Sequence, residues 1–180
     1  KNMSEGELLQ MEKSRFMNVD ESLYYEIIRK KTALLFSLSM LAGGISVDCS
    51  NDELEKLKVT GEQIGIAFQI KDDLLDFGIG GKSGKNSYSD VKNSKLTLPL
   101  IKLIETSNLM KKIKIIKMIK LGEIDELKKL IIENDYCLNY ANEKMHYYKD
   151  SAIKGLEALN IKNEYMRDKM VELFNFLVNR

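Results

Sequence analysis

The sequence contains few of the residue types on which many common functional sites depend. It has one histidine, His146, and two cysteines, Cys49 and Cys137, at no spacing typical of a metal site or of a disulfide framework. We therefore expect no zinc site, no disulfide-stabilised domain and no catalytic triad built on the histidine. Reduced, unpaired thiols are typical of cytosolic proteins, so we expect a cytoplasmic location.

An excess of charge of one sign is also missing, and so are long apolar runs. Lysine and arginine together number 28 and the acidic residues 27, whereas nucleic-acid-binding proteins usually carry a strong basic excess. No apolar run reaches the roughly 18 residues that a membrane-spanning helix requires. The sequence therefore predicts a protein that binds no nucleic acid and does not cross a membrane.

Proline is almost absent, since Pro99 is the single one among 180 residues. Helices tolerate internal proline poorly, so its scarcity permits long helices, and apolar residues recur at helical spacing almost throughout. We predict an all-α bundle that forms one domain over residues 1–180. The predicted helices cover 5–18, 21–43, 52–78, 97–107, 109–120, 123–134, 136–159 and 163–179.

Local signals mark several of the predicted helix ends. Asp20 and Asn51 are expected N-caps, because their short polar side chains accept hydrogen bonds from free backbone N–H groups. Thr97 is expected to cap a helix that carries Pro99 in its first turn. The pair Gly43-Gly44 predicts the end of helix 21–43.

Residues 78–95 interrupt the helical pattern with glycine, serine, asparagine and lysine. Such a segment has little apolar surface to bury, so it predicts a mobile surface loop. Its length of 18 residues exceeds that of ordinary connections and is typical of a binding loop.

The segment 61–76 carries an acidic stripe within an apolar helix. Because residues at i, i+3, i+4 and i+7 share one face of a helix, Gln69, Asp72, Asp73 and Asp76 project together. Like charges at this spacing destabilise an isolated helix, and unpaired carboxylates are costly to bury. Oxygen ligands without histidine or cysteine are the set that Mg²⁺ prefers. The stripe therefore predicts a magnesium site, and a solvated acidic face is the alternative.

Three lysines suggest where a phosphate group would bind. Lys31 lies inside the apolar helix 21–43, while Lys85 and Lys95 lie in the predicted loop. A lysine ammonium is a point charge that suits phosphate. Carboxylates that hold a metal, with lysines approaching from other elements, describe a site for a magnesium diphosphate. For each lysine taken alone, a solvated surface charge is the favoured interpretation.

Five segments, in order, resemble motifs of the trans-isoprenyl diphosphate synthases. Residues 68–76 are similar to the second aspartate-rich motif of that family, and Lys31-Thr32-Ala33, with Tyr24 seven residues before the lysine, resembles its Lys-Thr-Ala helix. The remaining three are Gly6 to Gln10, Gly84-Lys85 with Asp90 and Lys95 to Ile101, and Leu173 to Arg180. The resemblance implies a bundle of the isoprenoid synthase type.

The resemblance also implies a role for each candidate residue. Asp72 and Asp76 would hold Mg²⁺, and with Asp73 and Lys31 they would form the catalytic group. Substrate-binding residues would be Lys31, Thr32, Gln69, Lys85 and Lys95, where Thr32 and Gln69 steady the cation that forms when diphosphate leaves. The reaction would add isopentenyl diphosphate to an allylic diphosphate, geranyl or farnesyl diphosphate.

The same resemblance covers only about half of a family member. The first aspartate-rich motif, the arginines that follow it and the N-terminal helices of the bundle are missing, and the chain begins with Lys1 rather than Met. We therefore interpret it as a C-terminal portion and expect it to be inactive alone. The family implies a homodimer. Glu7 and Gln10 resemble the medium- and long-chain, octaprenyl-type synthases of quinone side chains, whose products associate with membranes.

Two alternatives from other classes remain open. A non-catalytic subunit would keep the bundle and lend it to a catalytic partner, although it would have no need of the three aspartates. A terpene cyclase shares the helical class, but the Lys-Thr-Ala and Lys95 to Pro99 segments resemble the synthases more.

Overall fold

The computed structural model describes residues 20–77, 97–161 and 163–179, and every regular element within these ranges is a helix. The all-α prediction is thus confirmed. None of the described helices is both long and apolar enough to cross a membrane. The predicted helix 5–18 and the predicted loop 78–95 lie outside the described residues. The elements are α1 (Glu21–Ile28), a π-helical segment (Arg29–Ala33), α2 (Leu34–Ser46), α3 (Asn51–Asp76), α4 (Leu98–Thr106), α5 (Leu109–Leu121), α6 (Ile124–Ile132), α7 (Tyr136–Glu157) and α8 (Glu164–Asn179).

Helix α3 is the central element of the bundle. It makes its most extensive contacts with α7 and α2, and it also touches α1, α4, α8 and the π segment. A helix that is enclosed on several sides must be apolar around most of its circumference. This holds for the second half of α3, where Ile64, Ile66, Ala67, Ile70 and Leu74 are at most 1% exposed.

The helix starts follow the capping rules, with one correction. Asp20 caps α1 as predicted, because its carboxylate accepts the Leu23 N–H at 2.8 Å. Thr97 occupies the N-cap position of α4, as predicted, with Pro99 in the first turn, but its side chain makes no capping hydrogen bond. Asn51 as the cap of α3 was wrong. The cap is Ser50, which forms a reciprocal capping box with Glu53.

The prediction that Gly43-Gly44 ends a helix was also wrong. Helix α2 continues to Ser46, and Gly44 is instead a point of close packing. A Cβ atom on Gly44 would lie 2.5 Å from Leu57 Cδ1 and 2.8 Å from Leu54 Cδ2. Because Gly44 has no side chain, two leucines of α3 pack against its backbone. Glycine in a helix can therefore serve close packing as well as termination.

Two glycines of α3 let the π segment and α2 approach its backbone. A Cβ atom on Gly61 would lie 2.7 Å from both Phe36 O and Ser37 Cα, and one on Gly65 would lie 2.6 Å from Ala33 Cα. Beside this crossing, the buried Ser37 hydroxyl donates to the Lys58 carbonyl at 2.9 Å. The contacts at Gly61 and Gly65 are between main chains, so they fix the distance of α3 from α2 and from the π segment tightly.

We predict that Gly61→Ala destabilises the chain, because the new methyl group meets backbone atoms that cannot rotate away. Overpacking of this kind typically costs ~1–3 kcal/mol of unfolding free energy. Gly43→Ala is the matched control, because nothing lies within 4 Å of a Cβ there and the position is also helical. It should raise stability by roughly 0.5–1 kcal/mol. Urea unfolding measures both, and equal effects of the two substitutions would contradict the close approach.

Candidate active site

The four polar residues of the acidic stripe occupy different environments along α3. Asp73 is 4% exposed and Asp76 7%, whereas Asp72 and Gln69 are only half-buried. Successive residues of a helix are about 100° apart, so Asp72 and Asp73 point to different sides of the stripe. Two adjacent aspartates therefore meet different surroundings.

Asp73 accepts hydrogen bonds from groups on three helices. Its Oδ2 accepts from the Tyr24 hydroxyl of α1 at 2.8 Å and from the Leu98 N–H, the first residue of α4, at 3.1 Å. Its Oδ1 accepts from Gln69 Nε2, one turn earlier on α3, at 3.2 Å. A buried carboxylate requires such donors, because an unsatisfied one is strongly unfavourable. Asp73 thereby satisfies the first free backbone N–H of α4, a helix whose N-cap residue Thr97 makes no side-chain capping hydrogen bond.

Gln69 extends this network to the π segment. Thr32 Oγ1 donates to Gln69 Oε1 at 2.6 Å. Both side chains are half-buried. The hydrogen bonds thus run from Thr32 through Gln69 to Asp73, and from there to Tyr24 and Leu98.

The π segment carries two of the predicted site residues, Lys31 and Thr32. Its π-helical conformation was not predicted from the sequence. Its extra residue per turn is visible where the Leu34 N–H donates to the Arg29 carbonyl, five residues earlier. Such π turns occur frequently at functional sites because they change the face on which the following side chains lie. The main-chain contact between Ala33 and Gly65 lies one residue beyond Thr32, and it brings that threonine within reach of Gln69.

A polar cluster fixes α1, and with it Tyr24, against the rest of the bundle. The Tyr140 hydroxyl donates its one hydrogen to the carboxylate of Glu21, one turn before Tyr24, and lies 2.6 and 2.8 Å from the two carboxylate oxygens. Lys102 lies 3.7 Å from Glu21 and 4.2 Å from the centre of the Tyr140 ring. The Glu21 N–H donates to Glu105 at 3.2 Å. Helix α1 is therefore connected to α4 and α7 by several polar contacts.

The residues present suit magnesium only in part. Asp72 and Asp76 offer hard oxygen ligands one turn apart, which is the donor type that Mg²⁺ prefers. Among the described residues no three acidic, histidine or cysteine side chains form a cluster that could hold a metal. Magnesium is often held by one or two carboxylates together with water and substrate phosphates. Two carboxylates fit that kind of site, but they are too few for a site in which every magnesium ligand comes from the protein.

Of the predicted site residues, the described structure brings together Thr32, Gln69 and Asp73 by direct hydrogen bonds, with Lys31 on the same π segment as Thr32. Asp72 and Asp76 lie on the same helix, whereas Lys85 and Lys95 fall outside the described residues. Sequence reasoning assigned no function to Tyr24 or to the Leu98 N–H. The position of Tyr24 seven residues before Lys31 was the one signal in the sequence.

The environment of Tyr24 keeps its hydroxyl protonated. Burial raises the pKa of Tyr24 well above its ordinary value of 10.0, and the Asp73 carboxylate raises that pKa further. A protonated phenol is needed here, since only the O–H form donates to the carboxylate.

Comparison with known proteins identifies relatives along the whole chain. The family described as Polyprenyl synthetase matches residues 1–133. The geranylgeranyl diphosphate synthase of Saccharolobus solfataricus is 33% identical over 182 residues, covering 99% of this chain and 55% of the relative. The octaprenyl diphosphate synthase of Escherichia coli is 38% identical over 100 residues, covering 55% of this chain and 31% of the relative.

Solved structures agree with these sequence relatives. The decaprenyl diphosphate synthase of Rhodobacter capsulatus superimposes with a TM-score of 0.89 at 30% identity, covering 99% of this chain and 56% of that one. A polyprenyl synthase of Caulobacter crescentus, complexed with calcium and isoprenyl diphosphate, gives 0.87 at 32% identity, with 99% and 56% coverage. The chain thus spans about half the length of the relatives that match it throughout.

We predict that Tyr24 makes stability depend on pH above 10. Its pKa is raised on folding, so its stabilising contribution is fully present below the unfolded value of about 10 and is lost as the pH rises further. Tyr24→Phe should lower the unfolding free energy at pH 8 by ~1.5–3 kcal/mol, because Asp73 loses a donor. The difference from the wild type should shrink between pH 10 and 11.5.

Urea unfolding at several pH values measures this difference. Tyr147→Phe removes a hydroxyl from a residue that is 63% exposed and serves as the control. A Tyr24→Phe deficit that stayed constant up to pH 11.5 would contradict the role given to the hydroxyl proton.

Proposed function

Because the chain belongs to the polyprenyl synthetase family, we propose that it forms the C-terminal half of a prenyltransferase. This enzyme joins isopentenyl diphosphate to an allylic diphosphate, geranyl or farnesyl diphosphate, and releases diphosphate. The product is an all-trans polyprenyl diphosphate.

One observation from the structure supports this proposal above the others. The half-buried Asp72 lies one turn from Gln69 on α3, and Gln69 is hydrogen-bonded to Thr32 next to Lys31 on the π segment. Acidic groups suited to a cation, a basic group suited to phosphate and neutral oxygens thus occur on two packed elements. A diphosphate that ionises requires these three kinds of group.

Each residue has a distinct task in the proposed reaction. Asp72 and Asp76 would hold Mg²⁺, which when bound neutralises charge on the diphosphate leaving group. The Lys31 ammonium pairs with a diphosphate oxygen. The oxygens of Thr32 and Gln69 line the position of the allylic cation, while Lys85 and Lys95 are proposed as further diphosphate ligands. The calcium and isoprenyl diphosphate in the Caulobacter crescentus complex support a divalent cation beside a diphosphate.

The finer features of this function are proposals as well. Relatives named for geranylgeranyl, octaprenyl and nonaprenyl products support products longer than farnesyl diphosphate, in line with Glu7 and Gln10. A product of that length is apolar enough to associate with membranes. We also propose a cytoplasmic homodimer.

We predict that Asp72→Ala, made in the full-length protein, lowers kcat by at least ~10²-fold, because the site loses a group that stabilises developing charge. Its stability should change little, since the substitution removes a half-buried carboxylate from a helix crowded with like charges. Transfer of labelled isopentenyl diphosphate measures the rate. Asp150→Ala is the control, at an exposed aspartate of α7.

The same assay on residues 1–180 alone should give no turnover, because the family's first aspartate-rich motif is absent from this chain. Near-normal activity of Asp72→Ala would contradict the proposed site. Turnover by residues 1–180 would show that the second acidic motif alone suffices. Inactivity of the full-length wild type would favour a non-catalytic subunit.

A further inference from the structure

The hydrogen bonds around Asp73 have a single possible direction. An ionised carboxylate only accepts, so Gln69 must turn its NH₂ group towards Asp73 Oδ1, at 3.2 Å. The amide oxygen of Gln69 then faces Thr32, and the Thr32 hydroxyl must donate to it, at 2.6 Å. The acceptor that Asp73 places at Oδ1 therefore decides where the hydrogen of the Thr32 hydroxyl points, two side chains away.

We propose that Asp73 is a positioning residue, whose carboxylate fixes the Gln69 amide and thereby makes the Thr32 hydroxyl present its lone pairs to the allylic group of the substrate. This assignment rests on the proposed function, and it separates Asp73 from the metal-binding role of Asp72 and Asp76. Asp73 acts through Gln69 and Thr32 and does not itself touch the substrate.

The direction of the hydroxyl matters because a hydroxyl has a positive and a negative end. With its hydrogen committed to Gln69, the Thr32 oxygen offers the negative end to a developing carbocation. A reversed hydroxyl would present its positive end to the same charge. Fixed dipoles of this kind need no reorganisation during the reaction, so losing one typically costs ~10²–10³-fold in kcat for a fully developed ionic charge.

Tyr24 and Leu98 hold the carboxylate in the required orientation. Both donate to Oδ2, at 2.8 and 3.1 Å, and this leaves Oδ1 turned towards Gln69. The Leu98 N–H is a backbone donor at the start of α4 and cannot be reversed. We call the chain of hydrogen bonds from the Leu98 N–H through Asp73 and Gln69 to Thr32 the relay. Its Leu98 end is fixed, and the direction of its other hydrogen bonds depends on whether the atom at the Oδ1 position of residue 73 is an acceptor or a donor.

Asp73→Asn tests this directly, because it keeps the shape and replaces one acceptor by a donor. Its amide oxygen must face the Leu98 N–H, so its NH₂ group replaces Oδ1 and faces Gln69. Gln69 then turns its amide, offers NH₂ to Thr32, and the Thr32 hydrogen points away from Gln69. We expect kcat in the full-length enzyme to fall by roughly ten- to a hundredfold, with KM for both diphosphates changed less than about threefold.

A second substitution restores the original direction. In Asp73→Asn/Gln69→Glu, the new carboxylate at 69 accepts from the asparagine NH₂ and from the Thr32 hydroxyl together. We expect this double variant to recover most of kcat, whereas Gln69→Glu alone places two carboxylates in contact and is impaired. A residue that only supported the fold would show no such rescue. Thr32→Val should add nothing to Asp73→Asn. In the otherwise wild-type enzyme, Thr32→Val should lower kcat more than Thr32→Ser does, because serine keeps the hydroxyl.

A structural measurement on the chain itself separates the relay from the proposed function. The side-chain NH₂ signals of Gln69 in ¹⁵N NMR, identified by their loss in Gln69→Glu, should shift strongly in Asp73→Asn as they leave the carboxylate. If they shift while the full-length wild type shows no prenyl transfer, the proposed function is wrong and the relay geometry stands. Unshifted signals, full kcat in Asp73→Asn or no rescue by the double variant would each overturn the relay. If Asp73→Asn does not fold, the comparison of Thr32→Val with Thr32→Ser remains as a test. Equal kcat values in these two variants would overturn the relay.

Discussion

A buried carboxylate must be surrounded by hydrogen-bond donors, and at Asp73 this requirement determines how three helices meet. Tyr24 comes from α1, Gln69 from α3 and the Leu98 N–H from the start of α4. Removing one of these donors takes a hydrogen bond away from a buried carboxylate, which is less favourable than losing an exposed contact. The polar cluster around Glu21 and Tyr140 fixes α1 one turn before Tyr24, and it thereby helps to hold Tyr24 beside Asp73.

The glycines of α3 allow the close helix packing on which this hydrogen-bond network depends. Gly61 and Gly65 let the main chain of α2 and of the π segment lie against α3, and Thr32 is thereby placed within 2.6 Å of Gln69. The close contact at Gly65 and the hydrogen bonds of Gln69 thus occupy adjacent turns of α3. The half-buried Asp72 lies about 100° from Asp73 around the same helix, so the two side chains meet different surroundings. The packing of α3 therefore buries one of two adjacent aspartates and leaves the other half-buried.

The sequence was sufficient for those features that depend on local periodicity. Helical spacing predicted the bundle and the shared stripe of Gln69 and the aspartates. It could not separate Asp73 from Asp72, because the difference comes from donors 49 and 25 residues away. Gly44 looked like a helix end because glycine serves both termination and close packing. Ser50 and Asn51 are both good caps, and Glu53 decides between them through the capping box.

We propose that Asp72 faces the ligand while Asp73 organises the protein. Binding of Mn²⁺, as a stand-in for Mg²⁺, in the presence of inorganic diphosphate tests it most directly in the full-length protein. Electron paramagnetic resonance follows the loss of the free-ion signal. We predict that Asp72→Asn weakens Mn²⁺ binding by on the order of tenfold or more, and that Asp73→Asn weakens it far less while still lowering kcat. Equal weakening of Mn²⁺ binding by the two substitutions would contradict this division of roles.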